Sequence, residues 1–211
     1  MKTAIIAGAT GLTGHELTRL LIEDTRYLKL ILLLRRPIEC KHEKIEQVIF
    51  NFEQPNTAVL AADEIFCCMG TTIKNAGSKD AFFKVDYEYV SLIAWIGFEN
   101  AVKKFAVISA MGADKNSKVF YNRVKGRMEE TVSQIGFESC FIFRPSLLLG
   151  PRNEFRLGER GAKFFMTVFS FAIPKKYKAV EAKQVAKAMI STMNSGNTGT
   201  RVIESDEIAN L

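Results

Sequence analysis

A chain of 211 residues with 47% hydrophobic and 25% charged residues has enough apolar side chains for one continuous core, as in a soluble globular protein. No apolar run approaches the roughly 20 residues that a membrane span needs, so we expect no membrane-spanning helix. The net charge of +6 is scattered, with no basic helix that interleaves aromatic residues, so we expect phosphorylated small molecules as partners and no nucleic acid.

The opening apolar stretch, residues 3–7, is too short for the core of a signal peptide, so we expect a cytoplasmic protein. The cysteines agree with this expectation, because none has the spacing of a zinc ligand set or of a C-x-x-C motif. We predict reduced core thiols and no metal site. The four cysteines are Cys40, Cys67, Cys68 and Cys140.

Short apolar runs rich in β-branched residues recur along the chain and predict strands. Most are apolar throughout, which is typical of parallel strands covered on both faces. The predicted strands are Thr3–Ala7, Leu28–Leu34, Gln47–Phe50, Glu64–Met69, Phe105–Ser109, Cys140–Phe143 and Thr200–Ile203. Helical patterns lie between several of them, at Leu12–Asp24, Asp80–Glu99, Phe120–Ile135 and Glu181–Met193.

This alternation predicts an α/β fold, a Rossmann-type doubly wound parallel sheet in a single domain, 1–211. The connection from Arg35 to Glu46 is short and contains Pro37, so we expect no full helix there. Residues 151–180 interrupt the alternation, and we expect a small insertion or lid on the substrate side of the sheet.

The segment GATGLTG, residues 8–14, follows the first predicted strand directly and opens the first predicted helix. In this context the first glycine permits a tight turn, the second lets the backbone approach a pyrophosphate, and the third allows close helix–strand packing. The helix N-terminus would face the phosphates. We predict a dinucleotide site, although a glycine-rich turn without a ligand is the alternative. The predicted contacts are Gly8, Thr10, Gly11, Leu12 and Gly14.

The end of the second strand distinguishes NADH from NADPH. An NAD site places an acidic residue there for the ribose 2′-hydroxyl, whereas this strand ends in Arg35 and Arg36, with no acid before Glu39. Guanidinium groups pair with a 2′-phosphate through two parallel hydrogen bonds. We predict NADP(H) in preference to NAD(H), and two solvated arginines are the alternative.

Tyr121 and Lys125 form a Y-x-x-x-K pair, and the four-residue spacing puts both on one helix face. Ser109 ends the fifth predicted strand, at the sheet edge where doubly wound folds bind ligands. Free tyrosine, with a pKa of about 10, transfers protons poorly at neutral pH, and a neighbouring ammonium stabilises its phenolate. The three residues are candidate catalytic groups, and an incidental Tyr–Lys pair is the alternative.

Five stretches carry a family resemblance, namely GATGLTG, CMGTTIKNAGSKDAFFKVDYEYV, SAMGADKNSKVFYNRVKGRMEE, FRPSLLLGPR and RVIESDEI. Together they resemble the atypical short-chain dehydrogenases/reductases related to the HIV Tat-interacting protein, over nearly the whole chain. The resemblance implies NADPH binding and undefined substrates. Some animal relatives act through protein partners, which we do not carry over to this chain.

The resemblance also implies roles for single residues. Tyr121 would donate a proton to a substrate carbonyl, Lys125 would bond the nicotinamide ribose, and Ser109 would orient the carbonyl oxygen. Two further groups would lie along the cofactor. They are Met69, Gly70, Thr71 and Thr72 after the fourth strand, and Arg144, Pro145 and Ser146 after the sixth. Asp86 stands where many such proteins have asparagine, and an active-site role and a helix-start cap are both open.

Within the predicted lid, Arg152, Arg156 and Arg160 recur every four residues. They would grip an acidic substrate or form a solvated, salt-bridged face. The apolar stretch Lys163–Ile173 would pack in the core, line a pocket or contact a second copy, so both a monomer and a homodimer are open.

The leading functional hypothesis is an NADPH-dependent oxidoreductase that transfers hydride to a carbonyl or related group of a small molecule. A non-catalytic NADP(H)-binding regulator, or redox sensor, that acts through a protein partner is the alternative. Isomerase or dehydratase chemistry on a sugar nucleotide also uses this scaffold, and the short region after residue 150 argues against it.

Overall fold

The computed structural model describes residues 1–150 and 177–211, and its centre is a sheet of seven parallel strands in the order β3-β2-β1-β4-β5-β6-β9. All seven predicted strands are confirmed, and with them the doubly wound Rossmann-type sheet. The strands of this sheet are β1 (Lys2–Ala7), β2 (Tyr27–Leu34), β3 (Ile45–Ile49), β4 (Glu64–Cys67), β5 (Lys104–Ile108), β6 (Ser139–Arg144) and β9 (Gly199–Glu204). A separate short parallel pair, β7 (Leu148–Leu149) and β8 (Val180–Glu181), was absent from the predicted strands.

Helices connect most of these strands. They are α1 (Leu12–Glu23), α2 (Ile73–Ala76), α3 (Lys79–Phe83), α4 (Tyr89–Glu99), α5 (Phe120–Gln134), α6 (Ala182–Met193) and α7 (Ser205–Ile208), with a 3-10 turn at Thr57–Leu60. The predicted helix at residues 80–99 is confirmed as one helical stretch from Lys79 to Glu99, in which a π-helical turn, Lys84–Glu88, joins α3 to α4. Within the two described ranges, none of the helices combines the length and apolar character that crossing a bilayer requires.

The central strands of the sheet are buried on both faces, which explains why they read as continuous apolar runs, whereas the edge strands β3 and β9 are partly exposed. Alternate residues point to opposite sides, so that Ile6 and Phe66 pack beneath α1 and α6, whereas Ile5 and Phe105 pack beneath α4 and α5. All four cysteines are free. Cys67 and Cys140 are buried, and Cys40 and Cys68 are half-buried.

The connection between β2 and β3 contains no helix, as its length and Pro37 predicted. The side chain of Gln47 stabilises this connection. Its Oε1 accepts a hydrogen bond from the Ile38 amide, and its Nε2 donates to the carbonyls of Ile38 and Cys40. Of the predicted lid, only residues 177–180 are described. Arg152, Arg156, Arg160 and the stretch Lys163–Ile173 lie outside the described residues.

The strand order reverses between β1 and β4, and this reversal positions the functional site. From β1 the sheet proceeds to β2 and β3 on one side, and to β4, β5 and β6 on the other. In doubly wound sheets the crevice at this point, beyond the carboxyl ends of the strands, is where ligands bind. The glycine turn, the loop after β4 and Ser109 all lie at these strand ends.

Candidate cofactor and reaction site

Gly8 makes the tight turn at the end of β1. Its φ of +81° lies in the left-handed region that a residue with a side chain rarely adopts. A Cβ there would also lie 2.7 Å from the carbonyl carbon and oxygen of Cys68 and 2.9 Å from the amide nitrogen of Met69. Both backbone conformation and packing therefore require glycine at this position.

Gly14, in the first turn of α1, is where the helix touches the glycine turn. A Cβ there would overlap the Gly8 carbonyl oxygen and lie 2.9 Å from the Ala9 Cα. The neighbours are backbone atoms, which cannot rotate away as a side chain can. The packing role predicted for Gly14 therefore has a direct steric basis.

The N-terminus of α1 presents free backbone donors. Gly11 precedes the helix, and no side chain caps the amides of its first turn. The Thr13 hydroxyl is buried, with Thr13 only 3% exposed, and has no hydrogen-bond partner within residues 1–150 and 177–211. Unpaired donors beside an unpaired buried hydroxyl fit a dinucleotide pyrophosphate. Sequence reasoning missed Thr13, although its hydroxyl within the glycine motif was a usable signal.

Arg35 and Arg36 follow the last residue of β2 and are exposed. No carboxylate of the described part of the chain pairs with either guanidinium. The strand end next to the glycine turn therefore presents two positive charges and no acidic group.

The loop after β4 approaches the same crevice. The amide of Cys68 continues the pairing of β4 with β1, by donating to the Ala7 carbonyl at 2.8 Å. The amide of Thr71 donates to Asp86 Oδ2 at 2.8 Å, and the Thr72 hydroxyl caps α2 by accepting from the Asn75 amide. The Thr72 hydroxyl, which was predicted to approach the cofactor, therefore also stabilises the start of α2.

Ser109 follows β5 directly, and its amide donates to the Phe143 carbonyl at 2.7 Å. Its hydroxyl is buried, with Ser109 only 4% exposed, and it has no partner in the described ranges. A buried unpaired hydroxyl costs free energy unless a ligand or water satisfies it. Ser109 therefore offers a hydrogen bond to whatever binds at this strand end.

Tyr121 and Lys125 lie on successive turns of α5, as the spacing predicted. The Tyr121 ring packs against the Phe82 ring, with centroids 5.2 Å apart. Lys125 is 2% exposed, and its Nζ lies 2.8 Å from Asp86 Oδ1 and 3.4 Å from the Ile108 carbonyl oxygen, one residue before Ser109. The structure therefore brings Lys125 and the end of β5 together.

Burial by itself would lower the pKa of Lys125, because it disfavours the charged ammonium. The Asp86 carboxylate, Tyr121 and Cys67 act in the opposite direction, and together they raise the pKa of Lys125 above its ordinary value. Burial raises the pKa of the nearby Cys67 thiol to about 11. Lys125 is thus a charged group in a buried site at neutral pH, and the thiol beside it is neutral.

Asp86 is not the cap of a helix start, so that interpretation is wrong. The helix already begins at Lys79, where the Ser78 side chain accepts from the Ala81 amide. Asp86 lies in the π-helical turn and directs its carboxylate to Thr71 and Lys125. The carboxylate therefore lies between the loop after β4 and the helix that carries Lys125.

Arg144, predicted to lie along the cofactor, has a side chain that contacts two carboxylates of the protein. Its Nε donates to Glu129 Oε1 at 3.0 Å, its Nη2 to Glu129 Oε2, and its Nη1 to Glu204 Oε1 at 3.0 Å. Glu129 lies one turn of α5 beyond Lys125, and Glu204 ends β9. The guanidinium therefore joins α5 to the end of β9.

The rest of this loop is also held by the protein. The Pro145 carbonyl accepts from the Met111 amide at 3.0 Å, and the Ser146 amide donates to Ser205 Oγ at 3.1 Å. The Ser146 hydroxyl lies 3.0 Å from the Ser205 hydroxyl and donates to the Lys178 carbonyl. The C-terminal stretch RVIESDEI thus fixes the loop after β6, a role that its sequence alone did not indicate.

Replacing Arg144 with leucine is expected to lower the free energy of unfolding by about 2 kcal/mol, because it leaves the buried Glu129 carboxylate without its partner. Urea unfolding measures this change. Arg201→Leu is the matched control, since it removes an arginine from an exposed pair with Glu207 and should change stability little. Equal effects of the two substitutions would contradict the structural role of Arg144.

Comparison with known proteins identifies the family. Residues 8–196 match the family described as NAD(P)H-binding. The chain belongs to this NAD(P)H-binding family. Within it the chain is an atypical short-chain dehydrogenase/reductase, as its resemblance predicted.

Two relatives span nearly the whole chain. HTATIP2 of Rattus norvegicus is 33% identical over 217 residues, which cover 100% of this chain and 89% of that protein. FMP52 of Eremothecium gossypii, named as mitochondrial, is 28% identical over 99% of this chain and 96% of that protein.

Solved structures share the fold at low identity. MoeE5 in complex with UDP-glucose and NAD has a TM-score of 0.72 and 12% identity, over 99% of this chain and 80% of that chain. Bordetella bronchiseptica WbmH in complex with NAD⁺ has a TM-score of 0.72 and 16% identity, over 97% and 76% of the two chains. At these identities the likeness shows the Rossmann architecture alone.

Proposed function

We propose that this protein is an NADPH-dependent oxidoreductase that reduces a carbonyl or related group of a small molecule. The observation that carries the proposal is the buried, unpaired Ser109 hydroxyl at the carboxyl end of β5, beside the buried charge of Lys125. Buried polar groups without partners are rare in folded proteins, and a bound substrate would give the Ser109 hydroxyl its partner. The glycine turn on β1, two strands away in the same sheet, supplies the dinucleotide cradle.

Each residue has a distinct task in this proposal. When bound, the cofactor supplies the hydride. The Ser109 hydroxyl donates a hydrogen bond to the substrate carbonyl oxygen, and Tyr121 gives that oxygen its proton. The Lys125 ammonium stabilises the phenolate that Tyr121 becomes and donates to the cofactor ribose. A metal ion has no task in this mechanism.

Turnover with a panel of aldehydes and ketones tests the reaction. Purified protein should consume NADPH with at least one carbonyl compound and release the corresponding alcohol in equal amount. If the protein binds NADPH, as seen by its fluorescence, yet oxidises it with no compound, the regulator hypothesis replaces the enzyme.

The preference for NADPH rests on Arg35 and Arg36, whose exposed guanidinium groups follow β2 without carboxylate partners in the described ranges. Replacing both with alanine is expected to weaken NADPH binding about tenfold or more and NADH binding little, because only NADPH carries the 2′-phosphate. Titration of each cofactor by fluorescence measures the two dissociation constants. Equal weakening of both cofactors, or a wild-type preference for NADH, would overturn this assignment.

We propose the cytoplasm as the compartment, supported by four free cysteines, which suit a reducing environment. The FMP52 relatives are named mitochondrial, so the alternative is a mitochondrial protein. Fractionation of cells that express the native chain distinguishes the two. We also propose a single dinucleotide-binding domain that acts on its small-molecule substrate without nucleic acid.

A further inference from the structure

Asp86 lies at the centre of the reaction site, and none of the steps above uses it. It is 0% exposed, in the π-helical turn between α3 and α4. Its Oδ1 lies 2.8 Å from Lys125 Nζ, and its Oδ2 accepts from the Thr71 amide at 2.8 Å. A single carboxylate therefore joins the π-helical turn, the loop after β4 and α5.

The residues around this ion pair leave room for the Asp86 and Lys125 side chains to approach each other closely. A Cβ at Gly70 would lie 3.3 Å from Asp86 Oδ1 and 3.5 Å from Lys125 Nζ, so glycine leaves the space that the pair occupies. The π-helical turn that carries Asp86 is a rare distortion, and such turns occur frequently at functional sites. Because a buried ion pair contributes little stability beyond that of apolar residues, a task in the site explains this arrangement better than stability does.

The groups that face Lys125 come from four parts of the fold. Tyr121 lies on the same helix, Cys67 on β4, the Ile108 carbonyl on β5 and Asp86 on the π-helical turn. Within residues 1–150 and 177–211, Asp86 is the carboxylate that pairs with Lys125. It therefore decides whether the buried lysine stays charged.

We propose that Asp86 is a positioning residue that keeps Lys125 protonated and fixed in the site, and thereby sets the upper pH limit of the reaction. The pH limit rests on the proposed reductase function, whereas the state of Lys125 does not. Reduction needs a proton on Tyr121 and a charge on Lys125. Removal of the Asp86 charge makes Lys125 easier to deprotonate, and this lowers the upper pH limit.

Asp86→Asn tests this proposal, because asparagine keeps the shape of the side chain and an acceptor for the Thr71 amide. Lysine side chains labelled for NMR report their titration midpoints, and Lys125→Met identifies the resonance of Lys125. We expect the Lys125 midpoint to move to lower pH in Asp86→Asn. Glu46→Gln is the control, since it removes an exposed carboxylate that pairs with Lys29 and should leave the Lys125 midpoint unchanged.

The pH dependence of kcat gives the second readout. In Asp86→Asn the alkaline limb of kcat for carbonyl reduction is expected about one pH unit lower than in the wild type, with KM for the carbonyl compound little changed. A purely structural role would lower the rate at every pH and leave the limb in place. An unmoved Lys125 midpoint overturns the proposal whatever the activity, and absence of wild-type turnover overturns only the proposed function.

A double-mutant cycle covers the case in which Asp86→Asn alone does not fold. Lys125→Met and the double variant Asp86→Asn/Lys125→Met complete the cycle, and the double variant buries no charge. The raised pKa of Lys125 means that the stabilisation by the pair is fully present below the ordinary lysine value of 10.5 and is lost as the pH rises through the folded value. We expect the double variant to be more stable near neutral pH than Asp86→Asn, whereas additive losses would overturn the proposal.

Discussion

Tyr121→Phe is expected to lower kcat for carbonyl reduction by about a thousandfold, because it removes the proposed proton donor and nothing else. The Phe82 ring packs against the Tyr121 ring and would pack equally against phenylalanine. Lys125 keeps its partner Asp86 and its position on α5. The dissociation constant of NADP⁺ should therefore change little, and single-turnover kinetics with the best carbonyl compound of the panel measure the lost step.

Tyr89→Phe is the matched control for this substitution. The Tyr89 hydroxyl donates to Glu53 Oε1 at 2.6 Å in an exposed cluster, and its ring stacks on Phe52. Loss of this hydroxyl should leave kcat unchanged. If Tyr121→Phe retains wild-type kcat, another group or water donates the proton and the assigned role of Tyr121 is wrong.

Gly14→Ala is expected to lower the free energy of unfolding by about 3 kcal/mol and to weaken dinucleotide binding at least about tenfold. The added methyl group overlaps the Gly8 carbonyl oxygen, and its other close neighbours, the Gly8 carbonyl carbon and the Ala9 Cα, are backbone atoms too. To relieve the overlap, the N-terminus of α1 must move away from the turn that places the pyrophosphate. Urea unfolding and NADP⁺ titration report the two losses separately.

Gly97→Ala provides the comparison, since Gly97 is also buried within a helix, α4. A Cβ there would overlap only the Ile65 Cδ1, the end of a flexible side chain that can move. We expect a smaller loss of stability and unchanged cofactor affinity. If both glycine variants bind NADP⁺ like the wild type, the close packing at Gly14 has no part in forming the cradle.

The strands were predictable because a parallel sheet covered on both faces leaves continuous apolar runs in the sequence. The first residues of α1 and α5 were predictable from local sequence patterns, because tertiary contacts did not override those patterns. The position of Ser109 at the end of β5, and of Tyr121 and Lys125 on one face of α5, followed from the same two periodicities. These features depend on neighbours in the sequence.

The features that the sequence did not indicate depend on partners far apart in the sequence. The motif around Arg144 predicts a cofactor contact, but it does not indicate that the guanidinium binds carboxylates 15 and 60 residues away. The π-helical turn Lys84–Glu88 contains no glycine or proline that would signal it, and its Asp86 carboxylate accepts from the Thr71 amide, 15 residues away. Thr13 and Ser109 carry ordinary hydroxyls in the sequence, and only packing shows that these are unpaired.

The contacts between the loop after β6 and residues 204–205 have a consequence for folding during synthesis. Glu204 and Ser205, which hold Arg144 and Ser146, are synthesised long after the strand that they support. Until β9 leaves the ribosome, the apolar strand Ser139–Arg144 is the open edge of the growing sheet, and open apolar edges pair with other chains. Pairing with β9 therefore covers this edge of the sheet, and the same segment holds the loop after β6 in place.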